Sequence, residues 1–370
     1  MRIHIVKRDQ CPLWEKCCLY AGAVLLALLM GSFLLLAQGA NPLEYYIEMF
    51  TIGTIDNPIA YKSVMNYLKD FVPLTLTAVA LSLAFKMRFW NIGGEGQFIM
   101  GAIATAFVAN MWGGVLPPAL VLVLMCVAAM LAAGLYGLIV AALKVKFGTN
   151  ETLLTLMLNY VALYALTFLM ETKVGWNIFL NPQDLRPVPK SFSDLVSFPS
   201  IPLGGQFELN ICVVLTFLVG AAMFAYLKYT KHGYEIAVVG DSAGTARYSG
   251  MKVNRIVLRT VFLSACLIGL AAAFKVGTAG TISTTITNDV GWTGIIVAWL
   301  AQLNTVAIFV VSALICVLHT GSVAAAASFS KVDSSFANML QGAILFLILA
   351  ADFFIRFRVV IARKGDKENG

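Results

Sequence analysis

The chain has 370 residues, 59% of them hydrophobic and 12% charged, with a formal net charge of +7 and a mean hydropathy of +0.83. Soluble domains carry about 25% charged residues, so half that share excludes an ordinary soluble fold and leaves the membrane class. The apolar runs are continuous and do not alternate, which excludes a β-barrel and predicts an all-α polytopic membrane protein.

Ten runs approach the ~20 residues that cross a hydrocarbon core as a helix. They cover 18–38, 71–87, 92–112, 115–143, 151–170, 209–228, 256–276, 290–303, 305–321 and 336–356. The third has a polar start and the eighth is short. With the N-terminus inside, nineteen Lys and Arg fall on one side and seven on the other, accounting for all 26. That asymmetry places both termini in the cytoplasm and makes the number of spans even, and it explains the net charge without nucleic acid. Ala37-Gln38-Gly39 resembles a signal-peptide cleavage site, but the run before it is longer than a signal h-region and reads as a retained anchor. No soluble domain is visible, so residues 1–370 read as one transmembrane domain. The seven Cys lie in spans or on the inner side, which argues against disulfides, and Cys11, Cys17 and Cys18 lack the second ligand cluster of a zinc site.

In chain order, 41–70 is an outer segment in which Leu43, Tyr46, Ile47 and Phe50 take helical spacing, predicting an amphipathic helix at the interface. Asn91-Ile92-Gly93-Gly94-Glu95-Gly96-Gln97 opens the third span with three glycines in four residues, so a broken or re-entrant start is expected. Glu95 and Gln97 there either satisfy exposed backbone or stand beside a translocation path or its inner gate. Thr149 or Asn150 reads as a helix N-cap with Glu151 at the positive end of the fifth span; Asn159, deeper, faces a pore or bonds a neighbouring helix. The outer segment 171–208 carries Pro182, Pro187, Pro189, Pro199 and Pro202 and reads as a structured cap or a strand-like excursion. Residues 230–255 form a polar, Gly-punctuated loop on the inner side, long enough for a short helix and far longer than a span-to-span link requires. The Thr/Ser-rich stretch from Thr278 to Trp292 is an ordinary outer loop or lines an outer mouth, where a sugar or base would meet hydroxyls and an indole face. The tail from Arg356 is short and basic, a plain inner anchor.

No carboxylate pair or His chain runs through the spans, as ion coupling would often need, and there is no GxxxxGK[ST] phosphate loop. The chain is therefore not expected to hydrolyse ATP, and the 230–255 loop is where a separate ATPase would push. The alternative is an ion-coupled secondary transporter or channel for a small polar solute.

The stretches from Asn41 to Glu44, Phe89 to Gln97, Asn150 to Tyr160, Gly233 to Gly250, and Leu340 to Phe346 with Asp352 resemble the permeases of bacterial ABC importers. The branch is that of nucleosides and simple sugars, with basic-membrane-protein-type binding lipoproteins. The resemblance covers nearly the whole chain. It implies about ten helices, a second and usually paralogous permease subunit, cytoplasmic ABC ATPases carrying ATP and Mg, and an extracytoplasmic substrate-binding lipoprotein, all in the cytoplasmic membrane. No cofactor or metal is implied on this chain. Gly233, Tyr234, Glu235, Gly240, Asp241, Ala246, Arg247 and Gly250 would belong to a coupling helix seated in the ATPase. Asn91, Gly94, Glu95, Gln97, Asn150, Glu151, Asn159 and Trp292 are the candidates for the translocation path or gate. Two departures stand out: Ala237 replaces a frequent basic residue, and Ala301-Gln302-Leu303-Asn304 replaces a Gly-Arg-Asn-like exit from the eighth span.

Overall fold

The computed structural model describes residues 2–7, 12–55, 59–192, 196–329, 332 and 334–362. Arg8, Cys11, Lys331, Arg363, Lys364 and Lys367, together with 56–58 of the first outer segment and 193–195 of the second, lie outside the described residues. The helices in order are α1 (Leu13–Ala37), α2 (Pro42–Phe50), α3 (Ala60–Lys86), α4 (Gly94–Trp112), α5 (Pro118–Phe147), α6 (Glu151–Glu171), α7 (Ile211–Tyr229), α8 (Lys231–Asp241), α9 (Ala243–Tyr248), α10 (Val253–Ala279), α11 (Val290–Leu300), α12 (Thr305–Ser328) and α13 (Ser334–Arg356).

Eight of these are long and apolar enough to span a membrane: α1, α3, α5, α6, α7, α10, α12 and α13. The other two of the ten expected spans correspond to α4 and α11. The Gly-Glu-Gly-Gln opening of α4 dilutes its hydropathy, and its first four residues are buried. With 11 residues, α11 is only about 16 Å long, half a hydrocarbon core. The helix that carries the expected span at 71 begins earlier, at Ala60, so 60–70 of the expected outer segment are helical.

The chain forms two compact units. One joins 1–63 to 317–370. Its core gathers Ala27, Leu35, Tyr45, Met49, Ala325, Phe336, Leu340 and Ile344. In it α2 is capped by Asn41, whose side chain accepts from Leu43 N, and buries Tyr45 and Met49. The opposite stripe, Leu43, Ile47 and Phe50, is exposed, as an interfacial helix requires. Tyr46 turns the other way and donates to Leu28 O at 2.6 Å. The tail is not a plain anchor: β4 (Phe357–Ala362) pairs antiparallel with β1 (Arg2–Lys7), with Arg2 opposite Ala362.

The other unit, 64–316, is built around α4, which packs on α5, α6, α10 and α11. Small residues permit the close approach that membrane helices need. A methyl at Gly101 would lie 2.9 Å from Gly269 Cα, and one at Gly269 would lie 2.3 Å from Ala129 O. The Pro-rich 171–208 segment contains the hairpin β2 (Ser200–Gly204) and β3 (Phe207–Asn210) and buries Phe179, Leu180, Val196 and Phe198. Phe192 N donates to Gly280 O, tying this segment to the end of α10.

Candidate functional site

The start of α4 is a polar knot. Its N-cap, Gly93, has no side chain to satisfy the first amides, so those groups need partners from elsewhere. Asn91 Oδ1 accepts from Gly93 N at 3.2 Å, and Ile92 N donates to Thr155 Oγ1 at 3.3 Å. Asn159 Oδ1 accepts from Gly96 N at 2.8 Å while its Nδ2 donates to Ile92 O at 2.9 Å. Gln97 Nε2 donates to Asn91 Oδ1 at 3.0 Å, and Asn91 Nδ2 donates back to Gln97 Oε1 at 3.2 Å. Asn91, Glu95, Gln97 and Asn159 are all buried. Asn159 therefore bonds a neighbouring helix, and Asn91 and Gln97 stitch a break in the backbone.

Glu95 reaches across to α11. Its Oε2 accepts from Gly291 N at 2.8 Å, and the Thr287 side chain also hydrogen-bonds the carboxyl. The backbones are close: a methyl at Gly291 would lie 2.3 Å from Glu95 N, and Gly94 fits between Leu81 and Gly291. Just before α11, Asn288 and Asp289 are consecutive left-handed residues (φ 46° and 55°), a conformation that costs non-glycine residues on the order of 1 kcal/mol each. Trp292 is 38% exposed.

Asn150 and Glu151 are placed apart from this knot. The Asn150 side chain caps α6, accepting from Thr152 N and Leu153 N. Glu151 forms an ion pair with Lys144 at the end of α5, closing the α5–α6 turn.

The 230–255 loop folds into two helices rather than one. Thr230 caps α8 by accepting from Gly233 N at 3.2 Å, and Ser242 caps α9 by accepting from Thr245 N at 3.2 Å. Gly233, Ile236, Val239 and Gly240 form the buried face of α8. Gly240 lies against the end of α3, where a methyl would fall 2.0 Å from Lys86 O, and one at Gly233 would fall 2.1 Å from Leu227 O. Ala246 is fully buried, and Gly250 takes φ +77° after α9. The outward surface holds Tyr234, Ala237, Asp241, Arg247 and Tyr248, the last 96% exposed. A cavity of about 580 Å³ opens beside them, lined by Arg88, Lys144, Asp241 and Arg247 among others. Glu235 is braced inward, accepting from Arg259 Nη2 at 2.9 Å. Burial pushes its carboxyl up, but hydrogen bonds from Arg259 and His232 and their charges outweigh this and hold it below the usual carboxylate range.

Sequence reasoning passed over Tyr248, Arg259 and Asp289. A tyrosine in a polar loop after Arg247 was a signal for the first. Arg259 had none, because its partner is 24 residues away. Asp289, an acid within a Thr/Ser run, was visible but read only as lying near the end of a span.

Comparison with known proteins fits this geometry. The family described as branched-chain amino acid transport system / permease component matches residues 63–349. A glucose ABC transporter permease of Haloferax volcanii is 27% identical, covering 99% of this chain and 96% of the relative. A nucleoside ABC transporter permease of Lactococcus lactis is 26% identical over 94% of this chain and 96% of the relative. A guanosine ABC transporter permease of Bacillus subtilis is 27% identical over 90% and 93%. With eight apolar helices of spanning length and a family match over most of its residues, the chain belongs to the branched-chain amino acid transport system permease component family, as a multi-pass protein of the cytoplasmic membrane.

Proposed function

We propose that this chain is the transmembrane permease subunit of an ATP-driven importer for nucleosides or related simple sugars. It takes substrate from an external binding lipoprotein and releases it to the cytoplasm by alternating access. The observation that carries the reading is the outward surface of α8 and α9, where Tyr234, Asp241, Arg247 and Tyr248 stand exposed on a two-helix platform, in a chain without a phosphate loop of its own. Such a platform suits a groove in a cytoplasmic ABC ATPase, which would carry the ATP and Mg. The names of the relatives, which pair ABC transport with nucleoside, guanosine or glucose, support the substrate class.

In this reading Tyr234, Asp241 and Arg247 touch the ATPase, Glu235 braces α8, and Gly233, Gly240, Ala246 and Gly250 set its seat. Asn91, Gly94, Glu95, Gln97 and Asn159 hold the wall of the translocation path, Asn150 and Glu151 border its inner end, and Trp292 faces it. Both compact units act as one permease domain beside a second, paralogous permease. The chain crosses ten times, α4 and α11 included, with both termini cytoplasmic. The pairing of β1 with β4 supports an even number of crossings, since it brings the two tails to one side.

The test is ATPase activity in proteoliposomes holding this chain with the ATPase, permease and binding protein encoded beside it. Nucleoside-loaded binding protein should stimulate hydrolysis, and Arg247→Ala with Tyr248→Ala should abolish the stimulation while the chain stays folded. Transport by the purified chain alone, down an ion gradient, would overturn the proposal.

A further inference from the structure

The link between α10 and α11 runs through the membrane layer, not over it. Gly101 of α4 touches Gly269 of α10, which sets the two helices level at that point. Ala279, the end of α10, lies ten residues outward from Gly269, and Glu95 lies six residues inward from Gly101. At 1.5 Å per residue the two levels are roughly 24 Å apart. Gly280 is held at the upper level by Phe192, and Gly291 at the lower by Glu95. Residues 281–289 therefore descend most of a hydrocarbon core as an irregular stretch followed by turns over 284–289.

Irregular backbone at that depth persists only where protein covers it or water reaches it. Ile282, Ile286 and Thr287 are buried, but Thr284, Thr285, Asn288 and Asp289 are exposed. Two hydroxyls, a carboxamide and a carboxylate turned toward hydrocarbon would be among the costliest surfaces a membrane protein can present. The surface thus faces a water-filled path. At its lower end the Asp289 side chain makes no capping bond to α11, and Trp292, three residues later in the first turn of the helix, is itself 38% exposed.

We propose that Asp289 and Trp292 form a contact site for the transported solute deep in the membrane layer. The Asp289 carboxylate accepts from two neighbouring hydroxyls of a sugar ring, and the indole stacks on the ring or on an attached base. A carboxylate offers two oxygens at the spacing of a vicinal diol, and an indole tolerates any flat or C–H-rich face. The solute class, nucleoside or simple sugar, rests on the importer reading above; the water-filled path does not.

The experiment places single cysteines at Thr285 and Asp289, and at Leu135 on the exposed apolar face of α5, in the full chain with native cysteines replaced. They are assembled with the neighbouring transport subunits and treated with a charged methanethiosulfonate reagent, with guanosine and glucose as probes. The Asp289→Cys thiol should react at least about ten-fold faster than the Leu135→Cys thiol, because the reagent needs water. One probe should slow the Asp289→Cys reaction about three-fold or more. In uptake, Asp289→Asn should raise KM about ten-fold with kcat little changed. Trp292→Phe should stay near the parent, while Trp292→Leu should lose about ten-fold. Rates at Thr285→Cys and Asp289→Cys no faster than at Leu135→Cys would mean lipid or a partner subunit covers the segment, and would overturn the proposal. So would fast labelling that neither probe slows. Labelling needs no ATP, so protected labelling without ATP-dependent uptake would sink only the importer reading.

Discussion

Lys275 of α10 donates to Asp70 of α3 at 2.6 Å, an ion pair held between two spanning helices with side chains 16% and 25% exposed. A charge at that position is tolerable because the other is present. Lys275→Met should therefore destabilise the chain by up to about 3 kcal/mol, and Lys275→Met with Asp70→Leu should recover much of that loss. Denaturant unfolding of the purified chain in nanodiscs measures the cycle, and strictly additive effects would rule the coupling out.

Asn159 satisfies two buried backbone groups at once, Gly96 N and Ile92 O. Asn159→Ala orphans both and should cost about 2–6 kcal/mol, at 1–3 for each group. Asn159→Asp keeps the acceptor for Gly96 N, loses the donor to Ile92 O, and should fall short of parent stability. The same unfolding assay ranks the three chains, and an alanine variant as stable as the parent would contradict the assigned role.

Gly240 and Gly244 share the α8–α9 platform but differ in their surroundings. A methyl at Gly240 collides with Lys86 O, whereas one at Gly244 meets only Ser242 Oγ at 3.6 Å. Gly240→Ala should destabilise by about 1–3 kcal/mol through overpacking, and Gly244→Ala should be close to neutral. Thermal unfolding of both separates packing from coupling. It follows that Gly240 variants are poor probes of ATPase contact, while Arg247 and Tyr248 are good ones.

The Glu235 carboxyl is held below its ordinary range by Arg259 and His232, against the opposing effect of burial. A depressed folded value contributes stability that is present above the ordinary carboxylate range and is lost as pH falls through the folded value. Tyr226 also faces this group but stays neutral in that window. The pair is partly exposed, so Glu235→Gln should cost less than about 1 kcal/mol near neutrality and flatten the acid side of the stability profile. Unfolding midpoints measured from neutral pH down to pH 3 test this; a variant with an unchanged acid limb would remove Glu235 from the account.

Much of the helical frame was legible because hydropathy over twenty residues is a local property. The spans at 151–170 and 209–228 match α6 and α7 within two residues at each end. The two weak runs were those where membrane helices are interrupted: α4 opens on polar residues, and α11 is half length. The 91–97 break was readable from its glycines, but its partners were not, since Asn159 lies 63 residues from Gly96 and Gly291 lies 196 from Glu95. No local pattern encodes such pairings. For the same reason the 278–292 stretch read as an outer loop or the lining of an outer mouth, with no depth to choose between them. Its descent becomes visible only once Gly280 and Gly291 are fixed at different levels by residues distant in sequence.

The register of β1 against β4 sets an order of assembly during synthesis. The unit from Val64 to Cys316 is one continuous stretch and can pack as it leaves the ribosome, whereas the other draws on residues up to Ser63 and from Val317 onward. The strand partner of residues 2–7 emerges some 350 residues after them, roughly 20–70 s later at ordinary translation speeds. Throughout that interval β1 exposes an unpaired edge to every other nascent chain nearby. A ribosome that stalls before Phe357 would leave the larger unit folded, the smaller one open, and a β edge free for aggregation or quality-control capture.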